Sequence, residues 1–218
     1  MTQDRRAGFT LIELLVVIGI LSLLIVAFAP DIFQFAGRAD KAADQANLRW
    51  HYQTMVEYKN QHKTLPRGTG HRFVFDPWIR GVCQRTQENF ERFWVPGISD
   101  PRKEELQEIA QNDPKGYDAI WRSPDEVSSV DTNYAGPGPE LKRQRLYGDG
   151  KLPIMADDNE FAPLFTDNTV NVLMGSGIVR ELKVDPDFIA VGFNPDEPDA
   201  KVEVGPNSAH PLLQQLEK

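Results

Sequence analysis

The sequence has little cysteine and only one long apolar run, and each scarcity excludes a class of protein. Cys83 is the only cysteine in 218 residues, so no intrachain disulfide can form. It lies apart from any C-x-x-C or histidine pattern, which favours an idle thiol over a nucleophile or a metal ligand. Beyond the N-terminal apolar run no second stretch is long enough to cross a bilayer. A disulfide scaffold and a multi-span transporter are therefore both excluded.

Positive charge is also sparse and scattered. The chain has 24 Lys and Arg against 32 Asp and Glu, a formal net charge of −8, and no basic run with interleaved aromatics. We therefore expect no nucleic acid ligand. No two of the four histidines have metal-ligand spacing, and Gly175-Ser176-Gly177 lacks the strand-to-helix context of a phosphate loop or nucleophile elbow. No catalytic set emerges, and we predict that the protein is not an enzyme.

The apolar run is the most informative stretch of the sequence. It extends from Phe9 to Ala29, and Glu13 is its only charged residue. As a helix it crosses the hydrocarbon core of a bilayer, about 30 Å thick. Arg5 and Arg6 precede it and favour a cytoplasmic N-terminus. A carboxylate in such a segment costs free energy, so it indicates a functional residue. The alternative is that Glu13 lies close enough to the lipid headgroups for its side chain to extend to them.

The residues Gly8-Phe9-Thr10-Leu11-Ile12-Glu13 stand between the arginines and the apolar run. This arrangement, from Arg5 to about Pro30, resembles the N-terminus of type IV pilins and type II secretion pseudopilins. The resemblance implies that a prepilin peptidase cuts between Gly8 and Phe9 and that the new Phe9 amine is methylated. It also implies that Glu13 pairs with the Phe9 amine of a neighbouring subunit during assembly.

The fold that the resemblance implies is α+β and pilin-like, with a long N-terminal helix packed on a small antiparallel β-sheet head. We expect a leader at residues 1–8, a transmembrane half-helix at 9–29, a periplasmic half-helix at 30–63 and a globular head at 64–218. Pro30 removes one backbone hydrogen bond, so it should kink or loosen the helix without ending it. Leu65 to Gly70 is the breaker that follows the helix.

The second half of the helix carries two different stripes. Small side chains recur at three- and four-residue steps and predict close approach of helices in a bundle; they include Ala36, Ala39, Ala43 and Ala46. The bulkier stretch Trp50–Tyr58 predicts packing against the head. A polar face is predicted opposite the small residues, carrying Arg38, Asp40, Lys41, Asp44 and Arg49.

Local patterns predict the elements of the head. Strands are expected at His71–Phe75 (followed by a turn at Asp76–Trp78), Ser128–Tyr134, Leu152–Asp157 and Phe188–Val191. A hairpin is expected with Thr169–Met174 and Ile178–Leu182 as its arms. Helices are expected at Gln87–Trp94, from the Asp100-Pro101 cap with Leu106, Ile109 and Ala110 buried, and near Pro211–Leu216.

Acidic residues near the predicted strand Leu152–Asp157 are weak calcium candidates. Asp157, Asp158 and Asp167 offer oxygen ligands, but no D-x-D-x-D-G loop is present. A solvated acidic loop explains them better, and we expect no cofactor.

These features predict a structural subunit of a type II secretion pseudopilus. The subunit is a single-pass protein of the bacterial inner membrane with its head outside the cytoplasm, and it later joins a periplasmic or surface filament. The expected partners are copies of itself, other pilin-like subunits, prepilin peptidase, an inner-membrane assembly platform and the lipid bilayer. Two alternatives remain: a type IV pilus subunit for adhesion, motility or DNA uptake, and a membrane-tethered binding ectodomain that never polymerises. Many type IV pilins carry a C-terminal disulfide loop, which a chain with one cysteine lacks.

Overall fold

A computed structural model describes residues 10–141, 148–158, 169–192 and 202–217. Its dominant element is one helix of 52 residues, α1 (Leu11–His62). At 1.5 Å per residue α1 is about 78 Å long. It ends where Lys63 adopts the left-handed conformation (φ 59°) and donates its backbone N–H to the Lys59 carbonyl at 2.8 Å. The predicted long helix is therefore confirmed over this range. It continues through Pro30, and the predicted loosening there stays a prediction.

The head contains a five-stranded antiparallel sheet with the order β4-β3-β2-β1-β5. The strands are β1 (Tyr134–Pro137), β2 (Pro153–Asp157), β3 (Thr169–Met174), β4 (Val179–Lys183) and β5 (Leu216–Glu217). Every residue of β3 is buried, so this strand is covered on both faces. The hairpin of β3 and β4 and the strand β2 were both predicted from sequence, and both are confirmed. The α+β class with a long helix on an antiparallel sheet is also confirmed.

In the described part of the head there are three further α-helices: α2 (Gly70–Ile79), α3 (Gln87–Glu91) and α4 (Pro101–Asn112). The prediction of a strand at His71–Phe75 and a turn at Asp76–Trp78 was wrong, because both stretches lie in α2. Phe73, Val74 and Phe75 are consecutive and all buried. Burial on every side removes the helical period from the sequence, so a short apolar run does not distinguish a buried strand from a buried helix.

Two other predicted strands were misplaced. Residues Ser129–Asp131 form a 3-10 turn, in which Asp131 accepts a hydrogen bond from the Ser128 backbone at 2.7 Å, and the strand begins only at Tyr134. The stretch Phe188–Val191, predicted to be a strand, is helical instead. Phe188 is the last residue of one helical turn, Val184–Phe188, and Ile189–Val191 form a second turn. A polar side chain that accepts a hydrogen bond from the nearby backbone favours a turn over an extended strand. Asp187 does so here, because its carboxylate accepts the Lys183 N–H at 2.8 Å.

The predicted helices are mostly confirmed. Asp100 caps α4 by accepting the Arg102 N–H at 2.9 Å, and Leu106 and Ala110 are buried. Ile109 was predicted to be buried but is 43% exposed. A 3-10 turn at Leu213–Gln215 occupies the predicted C-terminal helix. The core beneath these elements is aromatic, with Phe75 stacked on Phe93 at 4.9 Å between ring centroids.

The head packs on a face of α1 that the sequence analysis predicted only from Trp50 onward. Buried residues recur along this face at three- and four-residue steps: Asp44, Asn47, Leu48, His51, Met55 and Tyr58. The prediction that Asp44 belongs to a solvated polar face was wrong, because its side chain is fully buried. The small residues Ala36, Ala39, Ala43 and Ala46 are exposed and face away from the head. The predicted packing of the Trp50–Tyr58 stretch on the head is confirmed.

Candidate functional site

The first turn of α1 is closed by a reciprocal pair of hydrogen bonds. Thr10 precedes the helix in extended conformation, and its side-chain oxygen accepts the Glu13 backbone N–H at 3.3 Å. Glu13 Oε2 in turn accepts the Thr10 backbone N–H and the Thr10 hydroxyl, both at 2.8 Å. This is a capping box, which satisfies backbone donors that the start of a helix leaves unpaired. Glu13 Oε1 has no hydrogen-bond partner among the described residues, so half of the carboxylate is still available.

The helix that follows this cap is apolar and bare. Residues Leu11–Phe28 have a mean hydropathy of 3.0, and none of this window is buried by the other residues that the structure describes. A buried core helix would have its apolar face covered by the protein, whereas here every side is open. By length and composition the helix can cross a membrane.

This bare apolar helix and its capped glutamate coincide with a family match. Residues 3–29 carry a prokaryotic N-terminal methylation motif. The motif is consistent with a type IV pilin-like protein, and it implies processing by a prepilin peptidase. Together with the single apolar helix it fits a membrane-anchored pilin. Comparisons of the chain with curated proteins and with solved structures found no match.

The structure describes only some of the other residues predicted for processing and assembly. Gly8 and Phe9 lie outside the described residues, so the predicted cleavage and methylation stay predictions. The same holds for the pairing of Glu13 with a neighbouring Phe9. The backbone of Pro30 is helical. The structure adds Thr10 to the set, as the residue that holds Glu13 within its own chain.

A second polar site joins α1 to the sheet. The buried carboxylate of Asp44 accepts the Tyr134 hydroxyl at 2.6 Å through one oxygen and the Asn171 amide at 2.7 Å through the other. Burial is the main influence on this carboxyl group and raises its pKa to about 6, although the two hydrogen bonds oppose the shift. Helix α1 is thereby tied to β1 and β3 by buried bonds that fix the position of the head.

Asp157, at the end of β2, belongs to the same network. Its Oδ1 accepts the Asn171 backbone N–H at 2.7 Å, while its Oδ2 is buried without a hydrogen-bond partner among the described residues. Burial, followed by repulsion from Asp44, raises the pKa of Asp157 well above its usual range. An unpaired carboxylate oxygen in a buried site favours the protonated acid. The two aspartates therefore resist being charged together.

The calcium candidates do not converge in the described structure. Asp157 and Asp158 are consecutive, and neighbouring side chains at a strand point in opposite directions. Asp157 faces the Asp44 network, and the Asp158 backbone N–H donates to the Asn133 carbonyl at 2.7 Å. Asp167 lies outside the described residues. Within residues 10–141, 148–158, 169–192 and 202–217, no group of three or more His, Cys, Asp or Glu side chains is placed to hold a metal ion.

Exposed and half-buried contacts surround the Asp44 network. Lys41 on α1 forms an ion pair with Glu181 on β4 at 2.7 Å, and Gln45 donates to the same glutamate at 2.7 Å. On the other flank, His51 Nε2 donates to the Arg92 carbonyl at 2.9 Å. Burial lowers the pKa of His51 to about 4, so this imidazole is neutral.

Sequence reasoning singled out Glu13 but missed its partner Thr10, and it missed the Asp44 network altogether. The spacing Thr-x-x-Glu before an apolar run is a capping-box signature, so Thr10 could have been found. Asp44, Tyr134 and Asn171 carry no such signal, because the bonds between them span 90 and 127 residues of chain. Neither site contains an activated nucleophile. Burial raises the pKa of the Cys83 thiol to about 11, which disfavours the reactive thiolate.

Proposed function

We propose that the protein is a structural subunit of a type II secretion pseudopilus, assembled from the bacterial inner membrane. The observation that carries the proposal is the methylation motif at residues 3–29, set on an apolar helix that no other described residue covers. Its task is to polymerise and not to catalyse.

The physical argument starts from the bare helix. Each Å² of apolar surface left in water costs about 25 cal/mol, so Leu11–Phe28 needs lipid or other apolar helices around it. Before assembly the bilayer supplies that environment. After extraction, the same segments of neighbouring copies supply it, and the exposed small residues Ala36, Ala39, Ala43 and Ala46 extend the contact.

Glu13 gives this packing a direction. In the free subunit one carboxylate oxygen closes the capping box with Thr10. On assembly the carboxylate meets the Phe9 amine of the next copy. Opposite charges attract strongly where water is scarce, so this pair sets the axial register of the filament.

A single cysteine supports the secretion system over a type IV pilus, since a C-terminal disulfide loop is ruled out. Electron microscopy of a deletion strain separates the two. The proposal predicts loss of secretion with surface fibres intact, and the disappearance of long surface fibres would assign the chain to a pilus.

Two substitutions at Glu13 test the assembly role. Glu13→Gln keeps an oxygen that accepts the Thr10 N–H, so the capping box survives while the charge is lost. Glu13→Ala removes both. If charge pairing drives assembly, both variants fail to form filaments. If Glu13 only caps the helix, Glu13→Gln assembles like the wild type and the proposal of charge pairing is wrong.

Mass spectrometry of the mature protein tests the processing step independently. The expected mature chain begins with N-methylated Phe9. A chain that keeps residues 1–8, or that begins elsewhere, contradicts the pilin-like assembly route. The tethered, non-polymerising ectodomain is tested by the same Glu13 variants, because it predicts full function in both.

A further inference from the structure

Asp44 marks the point at which α1 enters the head. Among the described residues it is the first buried residue of α1, because the described side chains of residues 11–43 are exposed or half-buried. Further along, apolar side chains such as Leu48 and Met55 are fully buried and hold the helix. At the entry the buried contacts are the polar ones of Asp44. A change in those contacts therefore acts first on the junction between the exposed half of α1 and the head.

The aspartate pair, Asp44 and Asp157, has too few donors for two charges. Both oxygens of Asp44 accept a hydrogen bond, from Tyr134 at 2.6 Å and from the Asn171 amide at 2.7 Å. Asp157 Oδ1 accepts the Asn171 N–H at 2.7 Å, whereas its Oδ2 has no partner among the described residues. Both side chains are fully buried. This arrangement favours a charged Asp44 and a protonated Asp157.

The charged groups around the aspartate pair offer it little compensation. Titratable groups near the pair come from four elements: Lys41 and His51 on α1, Tyr134 on β1, Asp158 after β2 and Glu181 on β4. Lys41 pairs with Glu181 at 2.7 Å. The His51 ring is neutral, because burial lowers its pKa to about 4. No ion pair between described residues includes Asp44 or Asp157.

We propose that the aspartate pair is a proton-dependent latch between α1 and the sheet. With one proton on the pair, the network carries a single charge that Tyr134 and Asn171 satisfy, and the entry of the helix is closed. When Asp157 releases this proton to water, two carboxylates repel each other in a buried site, so the entry opens. The apolar contacts of Leu48 and Met55 do not titrate and keep the rest of α1 in place. The latch lies within one chain, so it can hold or fail independently of filament assembly.

The direction of the pH dependence follows from the raised pKa values. Burial is the main cause for both residues; it raises the pKa of Asp44 to about 6 and that of Asp157 well above its usual range. The latch is therefore closed at mildly acidic pH and opens as pH rises through the folded pKa of Asp157. An opening that releases one proton becomes about tenfold more frequent with each pH unit, until Asp157 ionises in the closed state as well.

Amide exchange of the full chain in detergent micelles measures the opening. The Asn171 N–H is the direct reporter, because its acceptor is Asp157 itself. After correction for the intrinsic pH dependence of exchange, its protection should fall by about tenfold per pH unit from pH 6 until Asp157 ionises. Asp157→Asn keeps an oxygen for this N–H and has no proton to lose, so its protection should stay constant. The exposed Asp125→Asn is the control and should match the wild type. Constant protection in the wild type, or the same fall in Asp157→Asn, overturns the proposal.

A second amide of the same strand separates the latch from unfolding of the whole head. The Met174 N–H donates to the Ile178 carbonyl at 2.9 Å and does not contact the aspartate pair. At pH 8 the Asn171 N–H should exchange at least about tenfold faster than the Met174 N–H. A low concentration of denaturant should accelerate only Met174, because a local opening exposes little surface. Equal exchange of the two amides would show that only global unfolding occurs, and it would refute the latch.

Carbon NMR of the carboxyl groups locates the proton directly. In protein labelled with ¹³C-aspartate, Asp157→Asn and Asp44→Asn each remove one signal and so identify the pair. We expect the Asp157 signal to keep the position of the protonated acid at pH 6. In Asp44→Asn it should titrate at lower pH than in the wild type, because the repulsion from Asp44 is gone. A chelator is present throughout, so that no metal ion replaces the proton. An Asp157 signal that titrates near the ordinary value of 3.8 contradicts the proposal.

Discussion

Thr10 and Glu13 hold each other at the start of α1, with the Glu13 carboxylate 2.8 Å from both the backbone nitrogen and the hydroxyl of Thr10. The residue that the proposed assembly needs is therefore already engaged within its own chain. Assembly and helix capping draw on the same carboxylate.

The cap predicts how the first turn responds to substitution. Thr10→Ala removes the side-chain acceptor of the Glu13 N–H and should destabilise the first turn by about 1 kcal/mol, the usual worth of such a cap. Amide exchange of Glu13 in micelles should then be about fivefold faster than in the wild type, because 1.4 kcal/mol is tenfold. Thr10→Ser keeps the acceptor and serves as the control. Equal exchange in all three proteins would show that the capping box is not maintained in a micelle.

The packing of the head on α1 depends on Asn171. Asn171→Ala leaves one oxygen of the buried Asp44 carboxylate without its donor at 2.7 Å. Leaving a buried polar group unsatisfied costs about 1–3 kcal/mol, and more for a charged one. Denaturant unfolding should show a loss of about 3 kcal/mol, against almost none for the exposed Asn60→Ala. A loss similar to that of the control would mean that the Asp44 network contributes little to stability.

The two buried aspartates make stability fall as pH rises. Their pKa values are raised in the folded state, to about 6 for Asp44, so folding is favoured by protonation. That contribution is full below the ordinary aspartate value of 3.8 and is lost as pH rises through the folded pKa. Asp157→Asn mimics the protonated acid and keeps an oxygen for the Asn171 N–H. Relative to the wild type, this variant should become progressively more stable between pH 4 and pH 8. A constant difference across that range would contradict the raised pKa of Asp157.

His51 has the opposite dependence on pH. Its pKa is lowered by burial from 6.5 to about 4, so the folded state favours the neutral ring. The stability that this gives is present above pH 6.5 and is lost as pH falls through 4. Since one pKa unit is 1.36 kcal/mol, about 3 kcal/mol is involved. The difference in unfolding free energy between the wild type and His51→Phe should shift by that amount between pH 7 and pH 4. A histidine signal titrating near pH 6.5 in NMR would refute the assignment if it is lost in His51→Phe.

The turn between β3 and β4 packs closely against α1 at Gly177. This glycine has φ +83°, and a Cβ there would lie 2.7 Å from a ring carbon of Tyr52. Gly177→Ala should therefore cost more than the roughly 1–2 kcal/mol of left-handed strain alone. Gly81→Ala is a matched control, because Gly81 has φ +70° with no atom near its missing Cβ. Equal losses in thermal unfolding would indicate that the turn does not press on the helix.

Local signals predicted a good part of this fold. The β3–β4 hairpin follows from two alternating runs around Gly175-Ser176-Gly177, and α4 follows from its Asp100-Pro101 start. In each case the information lies within a few residues of the element. The errors lie where that condition fails. The six consecutive residues Phe73–Trp78 of α2 are all buried, so this stretch has no visible helical period, and Asp131 and Asp187 accept backbone hydrogen bonds in turns where strands were expected.

The sequence by itself determined the apolar half of α1, because Leu11–Phe28 needs no tertiary partner to be apolar and the motif at residues 3–29 is read in linear order. Only the tertiary structure decided which face of α1 seats the head. In the sequence Asp44 lies among charged residues, which suggests that its side chain is exposed to solvent. In the folded chain, Tyr134 and Asn171 on distant strands donate hydrogen bonds to its two oxygens. A carboxylate is tolerated in a buried position only where such donors lie within hydrogen-bond distance of it. Only folding of the chain brings them there.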